Sequence, residues 1–119
     1  MHNFKKLKIW EKSMALSLLT YKITNGFPTE EKFGLTSQVR RCAVSIPSNI
    51  AEGYSRDSKK DFARFLSISI GSSFELETQL LLSKELEFIS DDDFSKLEIN
   101  LNEIQKMLNS FIKSLKVEV

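Results

Sequence analysis

Residues Leu35–Arg56, LTSQVRRCAVSIPSNIAEGYSR, decide how the chain is read. At 100° per residue, Leu35, Val39, Cys42, Ile46 and Ile50 share one face of a helix. Gln38, Arg41, Ser45, Ser48, Asn49, Glu52 and Arg56 share the adjacent face. The apolar face demands a core. The polar face is too mixed in charge to be an ordinary solvated surface. Pro47 lies inside this helix, where it removes a backbone donor and crowds the preceding turn. Because the apolar spacing continues to Ile50, a kink near Ala43–Pro47 is expected rather than an end.

The flanks repeat the pattern. A first helix is expected from about Leu7 to Thr24, closed by a left-handed cap at Asn25-Gly26 and linked through Phe27-Pro28. Thr29, Glu30 and Glu31 mark a new start, and Gly34 separates this lead-in from the main second helix. Ser58, with Asp61 three residues on, caps a third helix running to about Glu87. Ser90, with Asp93 three residues on, caps a fourth. In that fourth helix Phe94, Leu97, Leu101, Ile104, Leu108, Phe111 and Leu115 are spaced 3, 4, 3, 4, 3, 4, an unbroken heptad seam. The expected fold is all-α, an antiparallel up-down-up-down four-helix bundle, with residues 1–119 as one domain.

The first helix carries two stripes. Leu7, Trp10, Met14, Leu18 and Tyr21 form one; Ile9, Leu16, Leu19 and Ile23 form another nearly opposite. A bundle helix needs only one. With the first stripe assigned to the core, Ile9, Leu16, Leu19 and Ile23 become a candidate oligomer interface.

Composition narrows the chemistry. The chain is 41% hydrophobic and 28% charged, as in globular proteins that stay in water. No apolar run approaches the roughly 20 residues that span a bilayer, so no membrane role and a cytoplasmic location are expected. Cys42 is the sole cysteine, and a small core residue is its expected role. His2 is the sole histidine, which removes imidazole-based nucleophile activation and histidine metal sites. No Walker loop or glycine-rich dinucleotide turn occurs. Asp91, Asp92 and Asp93 suit a helix N-terminus better than a cation. No enzyme activity, cofactor or metal is expected.

Two polar constellations remain. Folding the second helix against the third about a turn near Arg56 sets position 41 beside 72 and position 38 beside 75. Gln38, Arg41, Ser45, Asn49, Glu52, Ser72 and Glu75 then make a buried structural network with Arg41 close to Glu75. Gly71 would permit close approach to Cys42. The competing reading is a ligand pocket using Arg41, Asn49, Glu52 and Glu75. The second constellation is basic: Arg56, Lys59, Lys60 and Arg64 at the corner, with Arg40 pointing away from the network. These five are candidate nucleic-acid-binding residues. Charge is unevenly placed. Residues 1–64 hold 12 Lys and Arg against 6 Asp and Glu, a net +6, whereas residues 65–119 hold 5 against 10, a net −5.

The joint pattern Gln38-x-Arg40-Arg41, Ser45-Ile46-Pro47-x-Asn49-Ile50-Ala51-Glu52-Gly53, Arg56 and Gly71-Ser72-x-x-Glu75-Leu76 resembles the 23S rRNA intervening-sequence proteins. The opening FKKLKIWEKSMAL and Phe27-Pro28 fit the same pattern; Cys42 stands where the family usually has alanine. The resemblance implies a four-helix bundle assembling as a ring-like homopentamer. That family is similar in fold to the accessory variability protein of diversity-generating retroelements, which binds nucleic acid through a more basic surface. The resulting expectation is a non-enzymatic oligomer whose partner is RNA or another nucleic acid. The alternative is an assembly or scaffold protein that holds another protein.

Overall fold

The computed structural model describes residues 3–115; His2 lies outside them. Four helices form: α1 (Lys8–Thr24), α2 (Leu35–Tyr54), α3 (Lys59–Glu85) and α4 (Asp91–Ser114). Short 3-10 turns, Phe4–Lys6 and Thr29–Glu31, precede α1 and α2. No strand occurs among the described residues. The helices pack in a cycle, α1 on α2, α2 on α3, α3 on α4 and α4 on α1, in a rod of 48 × 21 × 21 Å. Cross-helix partners step in opposite directions. Along α2, positions 46 and 53 meet 69 and 65 of α3. On α3, positions 77 and 84 meet 105 and 94 of α4.

The caps follow from side-chain chemistry. Ser58 Oγ accepts from the Asp61 amide at 3.0 Å, and Ser90 Oγ from the Asp93 amide at 3.1 Å. Each satisfies one of the donors that a helix start leaves without a partner. Gly34 separates the Thr29–Glu31 turn from α2, as its lack of a side chain suggested. The α1 end differs from expectation: Asn25 is right-handed helical, with φ −59°. The left-handed residue is Glu87, with φ 62°, just beyond α3. There the Phe88 amide donates to Ser83 O at 2.9 Å and the Glu87 amide to Lys84 O at 3.0 Å, the paired bonds of a Schellman turn. This reversal closes α3 at Glu85, two residues earlier than the apolar spacing indicated.

The core is the seam that periodicity marks on α2 and α4. Val39, Ile46, Ile50, Leu97, Leu101, Ile104 and Leu108 are all buried, with Leu66, Leu76 and Leu80 of α3 filling the space between. Phe111 and Leu115 close one end, half-buried. The close approach of α2 to α3 occurs at Gly53, not at Gly71. A Cβ at Gly53 would lie 2.5 Å from Phe65 Cβ, whereas one at Gly71 would meet nothing within 4 Å. Gly71 is exposed and has no packing role.

α2 runs unbroken through Pro47. Pro47 cannot donate the amide proton that Ala43 O would otherwise accept. Ser17 of α1 donates instead, its Oγ 3.0 Å from Ala43 O. The same hydroxyl lies 3.1 Å from Ser13 O within α1, but that carbonyl sits mid-helix and already has its own helical donor. From the other side, Ser69 Oγ of α3 donates to Ile46 O at 2.9 Å. Ser17→Ala should therefore destabilise the fold by about 1–3 kcal/mol, the cost of leaving a buried carbonyl without a donor. Urea unfolding checks this, and Ser13→Ala, which removes only a bond within α1, should cost less.

Candidate functional site

The α2–α3 corner gathers Arg56, Lys59, Lys60 and Arg64, all exposed. The Phe65 ring organises two of them. The guanidinium carbon of Arg56 stands 4.9 Å from its centroid and that of Arg64 4.7 Å. Arg56 also pairs with Glu52 at 3.0 Å, and Arg64 with Asp61 at 3.7 Å. Lys59 and Lys60 have no ion pair among the described residues. They occupy the first turn of α3, where the helix dipole is already positive. Asp61 shares that turn and pairs with Arg64, so Lys59 and Lys60 are the cations there that no acid pairs with.

Arg40, the fifth candidate for nucleic-acid binding, lies apart from this corner. Its Nε donates to Thr24 Oγ1 at 2.8 Å and its Nη2 to Asn25 Oδ1 at 3.1 Å, while its guanidinium lies 4.6 Å from the Tyr21 ring centroid. It closes the C-terminal end of α1, where carbonyls lack donors. Sixteen residues of helix separate it from Arg56, about 24 Å along the axis.

The expected buried polar network opens instead as a shallow groove of about 280 Å³ between α2 and α3. Gln38, Arg41, Glu52 and Glu75 are exposed, and Ser45, Asn49 and Ser72 are half-buried. No Arg41–Glu75 ion pair forms. What does form is small: the Ser45 and Ser72 hydroxyls are hydrogen-bonded at 2.8 Å, and Asn49 Nδ2 donates to Ser45 O and Oγ at 2.8 and 3.0 Å. Gln79 Nε2 reaches Gln38 Oε1 at 3.5 Å, the limit of a hydrogen bond. Glu52 is turned away to Arg56. The geometry thus separates the seven residues into a serine–asparagine bridge and independent surface charges. Arg41, Asn49, Glu52 and Glu75 do not converge on one point.

Cys42 lies at the floor of this groove, buried. Burial pushes its thiol up to about 11, and the negative charge of Glu75 adds in the same direction. It is a packing residue held in its neutral form. No group of three or more potential metal ligands occurs among the described residues.

On α1 the stripes divide differently from expectation: Leu7 and Trp10 of the first still pack half-buried on the core, while Met14, Leu18 and Tyr21 face out. Ile9 and Leu16 are 2% and 1% exposed, and Leu19 and Ile23 pack half-buried on the same core, so these four face their own chain. This corrects the candidate interface. A seam of hydroxyls decides it: Ser13, Ser17, Thr20 and Thr24 are buried along the same face. Ser13, Thr20 and Thr24 satisfy themselves on the carbonyls four residues earlier, each at 2.7 Å. Those hydroxyls carry the spacing of a core seam, 4, 3, 4, but are invisible to a count of apolar residues. The outward stripe is Met14, Leu18 and Tyr21, with Trp10 half-buried at its edge. With Val44, Pro47 and Ala51 of α2 it lines an apolar groove of about 540 Å³, and Leu18 is 69% exposed.

Comparison with known proteins gives a consistent result. The family model described as 23S rRNA-intervening sequence protein matches residues 5–110. Among solved structures, a protein with unknown function from the S23 ribosomal protein family of Bacteroides thetaiotaomicron VPI-5482 is similar at a TM-score of 0.82. It shares 28% identity over 88% of this chain and 95% of that one. No curated protein matches.

The state of Cys42 is open to a direct check. At pH 8 iodoacetamide should alkylate it at least about 100-fold more slowly in the folded chain than in the unfolded one, the factor that follows from 9.0 moving to about 11. Because the folded thiol holds its proton more tightly, its contribution to stability is whole below pH 9.0 and is lost as pH rises through about 11. Mass spectrometry of timed aliquots reads the rate.

Proposed function

This chain belongs to the 23S rRNA-intervening sequence protein family, and from that premise we propose a non-enzymatic homo-oligomer that binds structured RNA at its basic corner. The observation that carries the reading is the pair Lys59 and Lys60, unpaired at the positive end of α3 and flanked by Arg56 and Arg64 on Phe65. Phosphates are the chemistry that such a surface recognises. The cytoplasm is the compartment in which such a partner is met. We read the four helices as an antiparallel up-down-up-down bundle, which the opposed order of cross-helix partners supports.

Self-association rests on the outward stripe of α1. Met14, Leu18 and Tyr21 stand exposed beside Val44, a contiguous apolar surface of the kind that water-exposed chains cover. Five copies, each seating a different surface in the groove of the next, would build the homopentamer that the family resemblance implies. Light scattering at micromolar concentration should give a pentamer mass, and Leu18→Lys should reduce it toward the monomer. A monomer mass for the unaltered chain rejects the assembly and turns the groove over to a scaffold role with another protein in it.

The RNA reading has its own test. Filter retention of a structured RNA should fall steeply with salt. A Lys59→Ala, Lys60→Ala double variant should weaken retention and lower the slope of log affinity against log salt by about 1.4–1.8, two phosphate contacts' worth. Equal retention by both proteins across the salt series discards the corner as the site.

A further inference from the structure

A third groove, of about 530 Å³, opens at the N-terminal end of α2, sharing Tyr21, Val44 and Ser48 with the apolar groove, and nothing in the corner reading accounts for it. Lys32, Arg40 and Arg41 line it, and no acidic side chain does. Arg40 is committed to Thr24 and Asn25. Arg41 makes no hydrogen bond or ion pair among the described residues, and Lys32 is held only against the Phe33 ring, 5.5 Å from its centroid. Phe33 itself is 90% exposed, a large ring on the turn before α2 with no packing to explain it. Thr36 lies in the wall at 7% exposure, and its Oγ1 is covered without any partner.

The helix start adds donors. Gly34 offers α2 no side-chain cap, and only the Leu35 amide finds a side-chain acceptor, Glu31 Oε1 at 3.1 Å. That carboxylate is thereby spent outside the groove. Thr36 and Ser37 of the first turn, both in the lining, sit where amide protons and the dipole favour an anion. A phosphate between this turn, Lys32 and Arg41 would meet positive charge from three directions. The exposed Phe33 ring beside it offers a stacking platform for a base.

We infer that this groove binds a phosphorylated, base-bearing ligand, a nucleotide either free or within a single-stranded RNA, with Lys32 and Arg41 on the phosphate and Phe33 on the base. The site is independent of the corner, because the 15 positions from Arg41 to Arg56 span about 22 Å of helix.

Calorimetry with AMP and with inorganic phosphate, and anisotropy with a labelled short oligoadenylate, test this on the full chain. AMP or the oligoadenylate should bind. Arg41→Gln and Lys32→Gln should each weaken that binding tenfold or more, and Phe33→Ser should do likewise while leaving the affinity for phosphate alone unchanged. Circular dichroism checks that each variant folds, and none of the three residues is in the core. Binding of AMP identifies a free nucleotide as the source; binding of the oligoadenylate alone identifies a strand, and either supports the site. No binding of AMP or oligoadenylate, or affinities unchanged in Arg41→Gln and Lys32→Gln, overturns it. Unchanged affinity in Phe33→Ser overturns base recognition. The Lys59→Ala, Lys60→Ala protein should keep AMP binding, so that loss of the corner and loss of this groove are read separately.

Discussion

The hydroxyl of Ser17 on the carbonyl of Ala43 holds the arrangement of the other elements. Pro47 deprives that carbonyl of its helical donor, and a buried carbonyl left alone costs about 1–3 kcal/mol. Satisfying it requires α1 to lie against α2 at one height and one rotation. Ser69 makes the matching demand on α3 through Ile46 O. The proline thus converts α2 from a generic amphipathic helix into one whose two neighbours are registered by specific bonds. Hydrophobic burial supplies most of the driving force but no direction; these two serines supply the direction.

That registration explains which side of α1 faces inward. The face that presents Ser17 to Ala43 also carries Ile9, Ser13, Leu16 and Thr20, and small hydroxyls there let the backbones approach. Met14, Leu18 and Tyr21 are turned to the outer surface by the same rotation. Bulk and hydrophobicity alone would have turned the helix the other way. A buried small polar residue that bonds its own preceding turn is cheap, whereas a leucine left in water is merely not rewarded. The apolar groove is a consequence of how α1 must seat on α2.

Helix number, caps and core were legible in the sequence because each rests on local chemistry. Ser58 and Ser90 cap as their acids three residues on indicated, and the fourth-helix heptads run into the core as written. The errors share one cause, which is that rotation about a helix axis is a tertiary property. The stripes of α1 were identified but assigned to the wrong sides, since serines and threonines were counted as polar. Arg41 was placed beside Glu75 from register alone, yet a rotation of part of a turn sends both into solvent. Arg40 reads in the sequence as a free basic residue, while geometry spends it on the end of α1. Gly53 carries no local signal for its role at the helix crossing, where Phe65 needs the space that a missing Cβ leaves. Glu87 carries no signal at all for its left-handed backbone, which the Schellman bonds impose from outside the residue.

Charges that a fold uses can be separated from charges that it tolerates by asking what each one meets. Arg40 meets carbonyl ends and an aromatic face; Lys12 of α1 meets Glu103 of α4. Both tie elements together. Lys59 and Lys60 meet the wrong end of a dipole, and Arg41 meets nothing. A cation in either of the latter situations costs the folded state a little, or at best nothing, so the fold does not account for it. The same reasoning applied to Phe33, an aromatic ring with no core to join, leads to the same surface as Arg41. Two unrelated kinds of unused group, one ionic and one aromatic, converge on one groove, and nucleotides are the common ligands that engage both.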